Sequence, residues 1–208
     1  MARLPVIVVL CLLFPSAYAQ QNTANTAPPA AQSCVACHGA QGQGTGSYPH
    51  LAGLGEAYFK RQLDAFASGE RVNAIMKPIA SGLSEEQRQA LAGYFSALAM
   101  QPGGGQAGEA PTGPGRELAL HGRWQQDLPA CVQCHGPGGL GIGADFPPIA
   151  GQPAGYLRNQ LKAWRSGDRP AGPQGLMGHI AEQLDADDLK AVAEYFASLP
   201  AAKEANNE

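Results

Sequence analysis

Cys34-Val35-Ala36-Cys37-His38-Gly39 and Cys131-Val132-Gln133-Cys134-His135-Gly136 are the two stretches that decide how this chain is read. Each holds two cysteines three positions apart with a histidine directly after the second. In an exported protein CxxCH is the spacing of covalent c-type haem attachment. The spacing has a physical reason. On one helical turn each thiol can form a thioether with a haem vinyl group, and the adjacent histidine is then held beneath the iron. Cys34 and Cys37 are therefore read as holding one haem c with His38 on its iron. Cys131 and Cys134 are read as holding a second, with His135 on its iron. Other uses of paired cysteines fit less well. A thioredoxin-like redox pair expects a βαβ setting, which the sequence lacks. A four-cysteine zinc site would have to join pairs lying in separate repeats, each followed by His-Gly. A disulfide staple has no need of the following histidine.

Outward from these motifs the chain repeats itself, and such a repeat sets the whole architecture. Pro49-His50-Leu51-Ala52-Gly53 is matched with Pro148-Ile149-Ala150-Gly151, one residue shorter. Tyr58-Phe59-Lys60-Arg61-Gln62-Leu63 matches Tyr156-Leu157-Arg158-Asn159-Gln160-Leu161. Ser68-Gly69-Glu70-Arg71 matches Ser166-Gly167-Asp168-Arg169, and Met76 matches Met177. Tyr94-Phe95-Ser96-Ala97-Leu98 matches Tyr195-Phe196-Ala197-Ser198-Leu199. Two homologous domains follow, over residues 20–100 and 116–200. They are joined by a Gly/Pro-rich linker at 101–115 and followed by a polar tail at 201–208.

Residues 1–19 read as a Sec-type signal. Arg3 gives a positive start, residues 4–14 form an apolar run, and Ala17-Tyr18-Ala19 is a small-residue cleavage site. The apolar run is shorter than the ~20 residues that span a bilayer. Cys11 lies inside it without the context of a lipoprotein signal. The expectation is a periplasmic protein cleaved after Ala19. Loss of Arg3 takes the formal charge from -3 to -4, an acidic balance that gives no support to nucleic-acid binding. With 27 glycines and 17 prolines in 208 residues, long loops are expected between the helices.

Apolar spacing predicts helices over 56–67 and 154–165, stopped by Gly69 and Gly167. Ser84 with Gln87 is a capping-box start for a helix running to about residue 100. Residues 185–188 cap its counterpart, which Pro200 ends. Nothing reads as a strand pair, so each domain is a small helical unit.

Met76 and Met177 are the candidate sixth ligands. They hold equivalent places in the repeat, both in segments read as loops, and His/Met ligation is a known mode of electron-transfer cytochromes. A thioether stabilises reduced iron and fills the coordination site, which favours electron transfer over catalysis. His50, His121 and His179 are read as ordinary surface or linker histidines, with His50 and His179 as fallback ligands. Pro49 and Pro148 are the candidate carbonyls for orienting the two proximal imidazoles. The paired aromatics, among them Tyr58, Phe66, Tyr156 and Trp164, are read as core.

Taken together, these residues resemble the diheme class I cytochromes c of the cytochrome c4 type. The resemblance spans the mature chain and rests on the paired CxxCHG motifs, the Tyr-x-x-x-Gln-Leu helix, the Ser-Gly-Glu/Asp-Arg turn, the equivalent methionines and the closing Tyr-Phe helix. It implies an all-α protein of two tandem cytochrome c domains, each a small helical bundle around a covalently bound haem c. It implies that the domains pack face to face with haem propionates toward their interface, and that ligation is His38/Met76 and His135/Met177. It also implies a periplasmic carrier of single electrons between redox partners, a donor complex and a terminal oxidase or reductase, in loose membrane association. The family places a helix before each CxxCH. Residues 116–124 supply one in domain two, whereas Pro28-Pro29 interrupts residues 20–33 in domain one and leaves it without a full helix.

Two other functions compete with a free carrier. One is an electron-accepting cytochrome subunit of a dehydrogenase or oxidase complex, which sequence cannot separate from a carrier. The other is a diheme peroxidase, which needs one displaceable iron site; equivalent methionines in both halves argue against it.

Overall fold

A computed structural model describes residues 26–100 and 111–201. The segment 1–19 read as a signal, most of the linker and nearly all of the tail lie outside the described residues. The first repeat holds α1 (Ala31–His38), α2 (Glu56–Ser68), α3 (Met76–Ser81) and α4 (Glu85–Ala97). The second holds α5 (Pro114–His121), α6 (Cys131–His135), α7 (Ala154–Ser166), α8 (Leu176–Glu182) and α9 (Ala186–Ser198). Among the described residues the only β pairing is three isolated bridges, so the architecture is all-α. No described helix is long and apolar enough to cross a membrane.

The long helices start and stop where local chemistry requires. Ser84 and Asp185 cap α4 and α9 through reciprocal capping boxes with Gln87 and Asp188, so two otherwise orphaned N–H groups are satisfied at each start. Gly69 and Gly167 end α2 and α7 in the left-handed conformation that glycine adopts without a Cβ clash. In domain one, Phe59, Leu63, Phe66, Leu91 and Phe95 form a core, with Phe59 stacked on Phe95 at 5.4 Å. In domain two, Leu118, Leu128, Leu184, Leu189 and Val192 form one cluster, and Ala119, Ala150, Tyr195, Phe196 and Leu199 another. Here α5 crosses α9 so closely that a Cβ on Gly115 would lie 2.2 Å from the Ala191 carbonyl oxygen.

Several sequence expectations change. The loop after each histidine was matched with a one-residue deletion, but the residue is an insertion located earlier. The bridge Thr45↔Tyr48 closes a turn that Ile142↔Phe146 closes with one residue more. From there to Arg71 and Arg169 the repeats run at an offset of 98, which rises to 101 at Met76 and Met177. Leu51 and Ala52 donate to the Gly42 carbonyl as Ile149 and Ala150 donate to Gly139, and Gly53 and Gly151 donate to Phe95 and Phe196. Pro49 thus corresponds to Pro147, and His50 to Pro148.

Met76 and Met177 do not sit in loops. Met76 opens α3, because the Asn73 side chain accepts from the Ile75 and Met76 N–H groups and caps the turn. Pro78 falls in the first turn, where no N–H is required. Met177 is the second residue of α8. The helix expected over 116–124 is α5, which begins at Pro114, inside the segment read as linker, and ends at His121. Gly122 stops it at φ +68, and a Cβ there would collide with the Leu128 carbonyl oxygen at 2.4 Å. In domain one, α1 begins just after Pro28-Pro29 and carries the CxxCH motif itself.

The domains meet through α2 and α7 in a pseudo-twofold arrangement. Arg71 binds Gln62 of its own domain (2.8 Å) and Tyr156 (3.2 Å) and Gln160 (2.5 Å) of the other. Arg169 binds Gln160 of its own domain (3.0 Å) and Tyr58 (2.8 Å) and Gln62 (3.1 Å) of the other. Each guanidinium also lies over an aromatic ring, Arg71 on Phe66 at 4.3 Å and Arg169 on Trp164 at 4.0 Å. The symmetry is broken where the Val72 N–H donates to the Asp168 carbonyl at 2.7 Å. The matching position in domain two is Pro170, which has no N–H to return the bond.

Candidate haem sites

Both CxxCH motifs are helical, so within each pair the two cysteines lie one turn apart. The four cysteines are half-buried and none is paired in a disulfide. Burial pushes the Cys34 thiol up, and it pushes Cys131 up to about 11. At both positions the surroundings favour the neutral thiol over a reactive thiolate. Among the described residues no group of three or more His, Cys, Asp or Glu converges on a point. That geometry argues against the four-cysteine zinc reading.

The histidines that follow are buried and held from one side. His38 Nδ1 lies 2.8 Å from the Pro49 carbonyl oxygen, and His135 Nδ1 lies 2.8 Å from that of Pro147. A carbonyl can only accept, so Nδ1 carries the proton and Nε2 keeps its lone pair. Burial pushes both imidazoles below the usual histidine range, outweighing the opposing carbonyl contact; at His135 the Arg169 charge adds to the lowering. Each site therefore offers a neutral imidazole with the Nε2 lone pair available and its ring fixed in orientation, which suits a haem iron.

The proline in domain two is Pro147, where Pro148 was expected. The lengthened turn before it shifts the register, and an ungapped match of Pro49-His50 to Pro147-Pro148 would have found it. Met76 is half-buried and packs with Cys34 and Val35 against the domain-one core. Met177 is half-buried at the start of α8, its N–H donating to Ala171. His121 and His179 are exposed. His50 is half-buried, and its backbone is gripped by Gln152 of domain two. The sequence singled out Arg71 and Arg169 only as repeat markers; their role at the interface depends on how the domains pack.

A family model described as Cytochrome c matches residues 29–99 and again 125–200. The chain belongs to the cytochrome c family. This cytochrome is 49% identical over 181 residues, 85% of its own length and 83% of the relative's, to a protein of Stutzerimonas stutzeri (strain A1501) named thiosulfate dehydrogenase electron acceptor. Among solved structures it is similar to a thiosulfate dehydrogenase from Marichromatium purpuratum, at 45% identity and a TM-score of 0.73. That match covers 82% of this cytochrome but only 37% of the solved chain. It is also similar to reduced cytochrome c4 from Pseudomonas stutzeri, at 32% identity and a TM-score of 0.73, over 81% of this cytochrome and 94% of that chain. It is a diheme electron-transfer cytochrome of the c4 type, with two covalently bound haem c groups and redox proteins as its partners. When bound, each haem iron takes up or releases one electron.

Proposed function

We propose that this cytochrome takes electrons from a thiosulfate dehydrogenase and passes them on toward a terminal oxidase in the periplasm. The observation that carries the reading is the gradient of similarity. The chain is 49% and 44% identical to two proteins named thiosulfate dehydrogenase electron acceptor, against 35% or less to the cytochromes c4. The signal-type segment at 1–19 supports export, and the resemblance to the cytochromes c4 supports the onward transfer toward a terminal oxidase.

In this reading Cys34 and Cys37 tether haem 1, and Cys131 and Cys134 tether haem 2. His38 and Met76 ligate the first iron, and His135 and Met177 the second. Residues 20–100 and 116–200 are the two haem domains, with α5 extending the second back to Pro114. The backbone carbonyls of Pro49 and Pro147 keep each imidazole in the tautomer and plane that a ligand needs. The thioethers of Met76 and Met177 would hold the irons opposite the histidines and so disfavour peroxide chemistry. Arg71 and Arg169 are buried cations with no carboxylate within ion-pair distance among the described residues. Such charges call for anions, and propionates turned toward the interface would supply them.

The test is stopped-flow reduction of the matured protein by a purified thiosulfate dehydrogenase with thiosulfate present. Rapid reduction of both haems, in preference to a cytochrome c4 control, is the expected result. Equal or slower reduction than the control would leave a general carrier for other donors. A pyridine haemochrome assay on the same sample should return two c-type haems per chain.

A further inference from the structure

Gln152 belongs to the second domain but serves the first. The residue is only 5% exposed, and its side chain makes two hydrogen bonds, both to the backbone of His50. The His50 N–H donates to Gln152 Oε1 at 3.0 Å, and Gln152 Nε2 donates to the His50 carbonyl at 3.1 Å. That N–H belongs to the Pro49–His50 peptide, whose carbonyl accepts from His38 Nδ1. An unbroken chain therefore runs from the Gln152 amide through one peptide unit to the imidazole. Hydrogen bonds in series polarise one another, so a peptide whose N–H is engaged presents a more negative oxygen.

The second domain has no such chain. The peptide that accepts from His135 is Pro147–Pro148, and Pro148 has no N–H to donate. At the place equivalent to Gln152, domain one has Leu54, a core side chain. The coupling thus runs one way across an otherwise pseudo-symmetric interface.

We propose that Gln152 is a positioning residue for the proximal imidazole of the other domain, and that it lowers the potential of haem 1. The proposal rests on the reading of His38 as the ligand of haem 1. A stronger acceptor at Nδ1 makes the imidazole more basic, and a more basic ligand stabilises ferric iron.

The test is a spectroelectrochemical titration of the two-haem protein, with each potential assigned through haem methyl NMR signals. In Gln152→Leu, which loses both bonds, the reduced-to-oxidised ratio of haem 1 at fixed potential should rise about threefold, roughly 30 mV at about 59 mV per tenfold. Haem 2 should hold its value. Gln152→Glu keeps an acceptor for the His50 N–H, so haem 1 should stay at or below its parent potential. An unmoved haem 1 in the leucine variant, an equal shift of both haems, or a rise in the glutamate variant matching leucine would each overturn the proposal. A second measurement needs no variant. In the reduced protein the Nδ1 proton of His38 should resonate downfield of that of His135, and the reverse order would also refute it. Failure of the haem reading itself would appear separately, as a pyridine haemochrome count below two in the parent.

Discussion

Arg71 and Arg169 hold equivalent places in the two repeats, and each donates to the tyrosine of the opposite domain, Tyr156 at 3.2 Å and Tyr58 at 2.8 Å. Both arginines are 6% exposed. Burial works against the Arg71 charge and the nearby Arg169 charge repels it, while Tyr156 supports it. The guanidinium nevertheless stays protonated at any physiological pH. The two arginines, the two tyrosines and the shared Gln62 and Gln160 therefore form one polar network at the domain contact, in which removing one member leaves several others short of a partner.

Arg71→Leu should destabilise the two-haem protein by about 3 kcal/mol, the scale for losing hydrogen bonds to a buried charge. Arg169→Leu should cost a similar amount. The double variant should cost clearly less than the two single losses added together, because both arginines share Gln62 and Gln160. Denaturant unfolding of the four proteins checks this, and strict additivity would show two independent contacts.

Met76→Ala should lower the potential of haem 1 on the order of 100 mV, within the span of about 0.8 V that axial ligation covers. It should halve the weak far-red absorption of methionine-bound ferric haem and leave haem 2 as it was. Met177→Ala should do the converse. Optical redox titration of each variant reads both effects. A variant with the parent spectrum would return attention to His50 and His179.

Gly115→Ala should destabilise domain two by about 1–3 kcal/mol, because the new methyl meets the backbone of α9 and the helices must separate. Gly155→Ala, in α7, meets nothing within 4 Å. It should be neutral or stabilising by up to about 1 kcal/mol. Thermal unfolding of the two variants side by side separates close approach from simple helix propensity.

Asp64 gives a pH dependence. Burial pushes its carboxyl up, but hydrogen bonds and charge from Lys60 (2.9 Å) and Arg88 (2.6 Å) outweigh this and hold it below the usual carboxylate range. The ionised form is therefore favoured in the folded state. Its contribution is complete above the unfolded carboxylate value near about 3.9 and is lost as pH falls through the lower folded value. Asp64→Asn should be destabilising at pH 7, and the gap from the parent should close as acid protonates Asp64. Unfolding midpoints across the acid range test this; a gap that persists at the lowest pH would mean that packing, not charge, carries the effect.

Much of this protein was legible because its information is local. The CxxCH motifs lie within single helical turns, the Ser84/Gln87 box caps the next turn, and Gly69 and Gly167 stop the helices they follow. The duplication was legible for the same reason, since homologous turns keep homologous residues. Errors arose where a short-range match had two solutions. Pro147 and Pro148 both align with Pro49, and only the extra residue in the turn closed by Ile142 and Phe146 decides between them. Local sequence reads Met76 as a loop residue because Asn73 is a weak signal on its own; only the fold shows its side-chain oxygen accepting from Ile75 and Met76.

By itself, the sequence determined that this is a two-domain helical protein with two haem attachment motifs, and which histidines and methionines are candidates for the irons. Covalent attachment and helix capping depend on neighbours in the chain, so spacing alone carries them. The tertiary structure decided what crosses between the domains: the exchanged arginines, the one-way Val72 to Asp168 bond and the Gln152 grip on His50. Those contacts join residues about a hundred positions apart, and nothing in either local segment encodes the angle at which two folded domains meet.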